Sequence, residues 1–148
     1  MIPAGTPILL DTNILIHLAR GGAASDRLES RFGLRSRTLT PWISVVTVGE
    51  MLAFAERNAW GRRRVDALKQ LLSNLVVLDI RTDAVLHAYA AVDTHMKRSG
   101  TRMNEQNDVW IAATAAATGA VLLTTDRDFD PLHPGHLQRE WIDPQTLT

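Results

Sequence analysis

The sequence contains no cysteine, few aromatic residues and no excess of either charge. The absence of cysteine from all 148 residues excludes disulfide bonds and thiolate ligands, so any metal must be held by oxygen or imidazole. The 16 basic and 16 acidic side chains give a formal net charge of zero, so overall charge does not indicate a nucleic-acid partner. Because aromatic residues make up only 5%, we assign the four tryptophans to the core or to interfaces.

Long hydrophobic runs are also missing. The apolar runs span only a few residues, far below the roughly 20 needed to cross a bilayer, and no basic region followed by an apolar one opens the sequence. We therefore expect a soluble, cytoplasmic protein without a membrane partner. Its length suits a single domain, residues 1–148, which is large enough to bury a core.

Charge is unevenly distributed along the chain. Arginines concentrate in residues 20–37 and again at Arg57 and Arg62–Arg64, whereas acidic residues prevail from Val121 onward. This asymmetry fits an acidic pocket rimmed by arginines that bind phosphate, and Arg62–Arg64 are candidates for such a contact. The alternative is that these arginines form solvated helix faces.

Short apolar runs alternate with helical patterns. The strands are predicted at Thr6–Leu10, Trp42–Ser44, Val76–Ile80, Val121–Thr125 and Leu137–Ile142. Helices are predicted after Asp11, through Glu50, and from the starting residues Ser25, Gly61, Thr82 and Asn104 or Asn107. Such alternation is typical of an α/β fold, in which helices cover both faces of a parallel sheet.

Four carboxylates stand where a strand ends or a helix begins, namely Asp11, Glu50, Asp108 and Asp126. An acid at the end of a buried strand in an open α/β sheet points into the crevice where such folds bind ligands. Two carboxylates about 4 Å apart repel by roughly 4 kcal/mol at an effective dielectric of 20, so a converging cluster needs a cation. Oxygen ligands without cysteine favour Mg²⁺ or Mn²⁺, which promote phosphodiester hydrolysis.

Each acid also has a purely structural interpretation. Asp11 can cap the following helix, and Thr47–Glu50 matches a capping box in which the glutamate bonds back to the threonine amide. Asp108 can interact favourably with a helix macrodipole, and Asp126 can be a turn residue. Four such roles at successive sheet-edge positions would be a coincidence, so we favour one shared cation site.

Three neighbours of these acids are candidates for holding the metal ligands in place. Asn13 follows Asp11 by two residues and can reach the same crevice. Thr124 can bond within its turn or orient a ligand, and Asp128 can assist the cation or be a solvated turn acid, as can Asp130.

At these residues the sequence resembles PIN-domain ribonucleases, and more closely the VapC-like toxins of type II toxin–antitoxin systems. The resemblance covers Ile8 to about Asp143. The order and spacing of the matching motifs are together more specific than any single motif. The motifs are Leu9–Asn13, Thr47–Glu50, Asn107–Ala115 and Leu123–Phe129.

The resemblance implies a Rossmann-like, three-layer fold with a mostly parallel sheet of about five strands. It implies an Mg²⁺-dependent endoribonuclease that cuts structured RNA, often tRNA or rRNA, leaving a 5′ phosphate and a 3′ hydroxyl. The carboxylates that bind the metal and act in catalysis would be Asp11, Glu50, Asp108 and Asp126. It further implies a homodimer, and a cognate antitoxin that blocks the active site and itself binds operator DNA.

Two other functions compete with this interpretation. A haloacid-dehalogenase-like phosphatase would use Asp11 as a covalent nucleophile, but that class requires a second aspartate where this sequence has Asn13. A catalytically silent PIN module that binds RNA or protein would not need the carboxylates. The presence of all four acids therefore favours an enzyme.

Overall fold

A parallel five-stranded sheet forms the centre of the computed structural model, which describes residues 2–101, 103 and 105–148. The strands are β1 Ile8–Leu10, β2 Trp42–Ser44, β3 Val76–Leu78, β4 Val121–Thr124 and β5 Gln138–Trp141. They lie in the order β3-β2-β1-β4-β5, and every neighbouring pair is parallel. The predicted five-stranded α/β sheet is confirmed.

The two central strands, β1 and β4, end level with each other. Leu10 pairs with Leu123 in the sheet, so the residues that follow the two strands emerge side by side at one edge. Both strands are buried and apolar, as is typical of strands covered on both faces. This register places Asp11 and Asp126 at the same edge of the sheet.

Helices cover both faces of the sheet. Their bounds are α1 Thr12–Arg20, α2 Gly22–Phe32, α3 Val45–Arg57, α4 Arg62–Ser73, α5 Asp83–Arg98 and α6 Gln106–Thr118. Alternate residues of β1 enter different cores: Ile8 and Leu10 pack with helices α1 to α4, whereas Leu9 packs with α5 and α6. The arrangement is therefore three-layered, as predicted. Among the described residues, no helix combines the length and apolar character that crossing a bilayer requires.

Two predicted helix starts are wrong. Gly21 and Gly22 have φ of 69° and 74°, which lets the chain turn sharply, so α2 begins at Gly22 and buries Ser25 inside the helix. α6 begins at Gln106, because Glu105 takes the extended conformation of the N-cap, and Asn107 lies in the first turn. The alternative cap, Asn104, lies outside the described residues.

The other helix starts follow the sequence. Gly61 is the N-cap of α4, and the Thr82 hydroxyl caps α5 by accepting from the Val85 amide at 3.3 Å. Gly119 ends α6 in the left-handed conformation with φ 72°.

Candidate metal centre

Asp11 is the most buried carboxylate of the cluster, with 3% of its surface exposed. Its Oδ1 accepts from the Thr12 amide at 2.8 Å, so the predicted capping role is real. Its Oδ2 accepts from the Thr124 hydroxyl at 2.7 Å. Asp11 is thus held from both oxygens, and each oxygen retains lone pairs for a further ligand.

Thr124 joins the two strand-end acids. While its hydroxyl donates to Asp11, it accepts from the Asp126 amide at 2.9 Å. Asp126 in turn accepts from the Asp128 amide at 2.8 Å and begins a short 3₁₀-helix, Arg127–Leu132. One threonine therefore fixes the relative positions of Asp11 and Asp126.

Glu50 reaches the cluster from α3 and does not form the predicted capping box. Ser44 caps α3 by accepting from the Val46 amide at 3.1 Å, so Thr47 and Glu50 both lie inside the helix. Glu50 Oε1 instead accepts from the Thr12 hydroxyl at 2.8 Å, and that hydroxyl lies 3.0 Å from the Thr47 hydroxyl. The buried Thr47 and the half-buried Thr12 thus orient Glu50 from two helices.

Asp108 projects from the first turn of α6 toward the residues that follow β4. One carboxylate oxygen from each of Asp108, Asp126 and Asp128 lies within 4.8 Å of the others, a grouping that could hold a metal ion. Asp128 is therefore closer to the cluster than its supporting role in the sequence interpretation implied. Asp130 is directed elsewhere, because its carboxylate lies 2.9 Å from Arg139 Nη2 and 3.4 Å from Arg127 Nη1.

Asn13 contributes to the frame of the site. Its Oδ1 accepts from the Thr125 amide at 3.3 Å and so ties α1 to the turn after β4. This contact keeps the two segments that carry Asp11 and Asp126 together.

The negative charges of the neighbouring acids act on Asp11 and Asp108. The pKa of Asp108 is raised to about 8. Burial is the largest cause, and the negative charges of Asp11, Asp126, Glu50 and Glu105 contribute to the same rise. Burial also raises the pKa of Asp11 to about 6, against the lowering effect of its hydrogen bonds from Thr124 and Thr12. Asp108 therefore retains its proton near neutral pH.

A cation fits this environment. Its positive charge would displace the retained protons and offset the repulsion between carboxylates. The donors are all oxygen atoms, which are the ligands that hard divalent cations prefer. The described site could therefore bind a divalent metal ion.

Comparison with known proteins identifies the family of this chain. Residues 8–132 match the family model of the PIN domain. The chain belongs to the PIN-domain family.

Within that family, the chain is similar to VapC proteins. It is 28% identical over 123 residues to ribonuclease VapC2 from Haemophilus influenzae, covering 82% of this chain and 89% of the relative. It is also 28% identical over 134 residues to the tRNA(fMet)-specific endonuclease VapC from Salmonella typhimurium, covering 90% and 96%.

Solved structures give the same result for the fold. VapBC2 from Rickettsia felis, bound to a promoter DNA fragment, superposes with a TM-score of 0.77 at 23% identity, covering 93% of this chain and 99% of that one. VapBC-1 from nontypeable Haemophilus influenzae gives 0.70 at 25% identity, covering 91% and 97%. The resemblance to a VapC-like PIN domain, predicted from the sequence, is confirmed.

Proposed function

We propose that this protein is an Mg²⁺-dependent endoribonuclease, with Mn²⁺ as a substitute ion, and that it is the toxin of a toxin–antitoxin pair. The observation that carries the proposal is the convergence of Asp11, Glu50, Asp108 and Asp126 in a PIN-domain fold. The names of the relatives support RNA as the substrate. We also propose that residues 1–148 act as one domain in the cytoplasm.

The four acids would hold the metal, and each has a distinct setting. Asp11 is fixed by Thr12 and Thr124, and Glu50 by Thr12, so neither has to reorganise when a cation binds. Asp108 would release its proton as the ion enters, because its pKa is raised to about 8.

The reaction would be hydrolysis at a phosphodiester. When bound, Mg²⁺ lowers the pKa of water and neutralises charge on the phosphate. The water oxygen attacks phosphorus, the bond to the 3′ oxygen breaks, and the products are a 5′ phosphate and a 3′ hydroxyl.

The function is tested by incubating the purified protein with bacterial tRNA and rRNA and mapping the new RNA ends. We expect discrete cuts with Mg²⁺ or Mn²⁺, no cuts with EDTA, and recovery when excess Mg²⁺ is added. Cleavage that persists in EDTA would contradict the metal mechanism. Binding of RNA without any cleavage would favour a catalytically silent module instead.

A cognate antitoxin is the protein partner that the comparisons support. Similar structures are complexes with VapB, and two of them contain DNA. We propose that an antitoxin covers the acid cluster here as well, and that this chain reaches DNA only through it. Copurification from the native host, followed by a cleavage assay with and without the copurified protein, tests this: a partner that leaves cleavage unchanged would contradict it.

A homodimer is the second proposed assembly. Leu52 on α3 and Leu86 on α5 are each more than 40% exposed, as are Val76 and Val77 on the edge strand β3. A second copy of the chain would bury these apolar side chains. Sedimentation equilibrium should find a dimer that Leu52→Glu dissociates, and a monomeric wild type would contradict it.

Thr47→Val is expected to weaken metal binding without unfolding the protein. The change keeps the side-chain shape but removes the hydroxyl that lies 3.0 Å from Thr12 Oγ1, so Glu50 loses part of its support. Loss of such a supporting group lowers metal affinity by about 10-fold. Calorimetric titration with Mn²⁺ measures the effect, and Thr47→Ser should restore affinity. Equal Mn²⁺ affinity in the valine variant would refute this role for Thr47.

Asp128→Asn is expected to raise the Mg²⁺ concentration for half-maximal cleavage by about 10-fold, since the Asp128 carboxylate lies with Asp108 and Asp126. The matched control is Asp130→Asn, two residues away, whose carboxylate is paired with arginines. That control should alter stability but not the Mg²⁺ requirement. If the two variants show the same Mg²⁺ dependence as wild type, Asp128 has no part in the site.

A further inference from the structure

An open groove runs from the acid cluster along α3. Four α3 residues that line it, Val46, Glu50, Ala53 and Arg57, recur every three or four positions and therefore share one helix face. The cleft has a volume of about 530 Å³, and Glu105 lies at the same end as Glu50. The groove thus begins at the candidate metal centre and continues away from it.

Gly49 lines the groove from the middle of α3, so no side chain covers the helix backbone at that position. A glycine inside a helix weakens it relative to alanine. The fold does not require a glycine here, since a Cβ at Gly49 would meet no atom within 4 Å and the backbone is helical. The absence of a Cβ leaves room for a ligand to approach the helix backbone closely at this position.

The two ends of the groove carry opposite charge. Glu50 and Glu105 lie at one end, and Arg57 lies at the other, about 10 Å further along the helix at 1.5 Å per residue. Arg57 is exposed and has no hydrogen bond, ion pair or ring contact within the described part of the chain. Its structural role is limited to the favourable interaction of a cation with the C-terminal end of α3.

We propose that this groove binds single-stranded RNA next to the cleaved phosphodiester, with Arg57 contacting a neighbouring phosphate. The inference rests on the proposed ribonuclease function. With a metal ion bound beside Glu50, both ends of the groove would carry positive charge, which suits a polyanion. An RNA strand suits both ends, because one phosphate meets the metal ion while another meets the guanidinium.

The binding test uses a short labelled single-stranded RNA, with Ca²⁺ in place of Mg²⁺ under conditions where the RNA stays intact. Arg57→Gln should lower affinity about 3- to 10-fold and reduce the slope of log affinity against log salt by about 0.7, the value for one phosphate contact on a single strand. Arg57→Lys should retain most of the affinity. The matched control is Arg98→Gln, because Arg98 ends α5 as Arg57 ends α3 and is equally exposed.

A second variant tests the groove by shape instead of charge. Gly49→Leu should fill the floor, leave thermal stability at least equal to wild type, and raise KM about 10-fold or more with little change in kcat, because ground-state and transition-state binding are lost together. Wild-type affinity and salt dependence in Arg57→Gln, with unchanged KM in Gly49→Leu, would overturn the groove inference alone. Failure of the wild-type protein to cleave any RNA would overturn the proposed function first.

Discussion

Asp11→Asn should lower RNA cleavage by about 10³-fold or more, which corresponds to roughly 4 kcal/mol of transition-state stabilisation. The carboxylate is 3% exposed, and hydrogen bonds from Thr12 and Thr124 fix both of its oxygens beside the other acids of the proposed site. Asparagine caps helices as well as aspartate does, and its Oδ1 can still accept from the Thr12 amide. The variant should therefore fold.

Single-turnover cleavage and thermal unfolding together measure this prediction. The matched control is Asp143→Asn, because Asp143 also caps a helical segment by accepting a backbone amide, that of Gln145 at 2.9 Å, but is not among the charges that act on Asp11 or Asp108. The control should cleave like wild type. Wild-type cleavage by Asp11→Asn itself would show that the metal mechanism is wrong.

Asp108→Asn should abolish cleavage to a similar extent and yet stabilise the metal-free protein. The pKa of Asp108 is raised to about 8, so between the ordinary value of 3.8 and about 8 the folded state binds the proton more tightly than the unfolded state. Stability that is present at low pH is therefore lost as the pH rises through this range. Asparagine cannot ionise, so the Asp108→Asn variant should not lose this stability as the pH rises.

The expected gain at pH 8 is about 1 kcal/mol, a modest value because Asp108 is only half-buried and solvent screens part of the repulsion, and it raises Tm by about 2–4 °C. Unfolding in EDTA at pH 6 and pH 8 measures it, and the wild type should lose more stability across that interval than the variant. Asp66→Asn, an exposed change on α4, serves as the control. A variant less stable than wild type at pH 8 would contradict the repulsion.

The convergence of the acids was predictable because it follows from topology. Apolar runs that end at Asp11 and near Asp126 indicate strands, and the carboxyl ends of parallel strands meet at one edge of a sheet. The location of Asp108 was predictable from its position in the sequence as well. The helix α6 leads directly into β4, so the start of α6 lies at the edge where β4 ends.

The support that Thr12 and Thr47 give to Glu50 was not predictable, whereas Thr124 had been a candidate for orienting a ligand. The contact between Thr12 and Thr47 joins residues 35 positions apart and depends on how α1 packs against α3, which no local pattern encodes. The sequence instead suggested a capping box at Thr47–Glu50, and the structure has Ser44 as the cap three residues earlier. The helix α3 starts earlier than the capping box implied, because β2 passes into it without an intervening loop.

The position of the Asp128 carboxylate in the cluster was not predictable for a similar reason. The sequence around Asp128 is typical of a solvated turn acid and does not distinguish Asp128 from Asp130. The amide of Asp128 donates to Asp126 Oδ1, and this bond turns the chain into a 3₁₀-helix that brings the Asp128 carboxylate back to the cluster. The arginines that pair with Asp130 keep the second acid away.

The central claim is that these carboxylates hold a divalent cation. The most direct measurement is an anomalous difference map from crystals soaked in Mn²⁺. The account predicts a peak about 2–2.3 Å from carboxylate oxygens of Asp11 and Asp108, and its loss in Asp11→Asn crystals treated in the same way. A map without a peak at Asp11, Glu50, Asp108 or Asp126 in wild-type crystals would contradict the account.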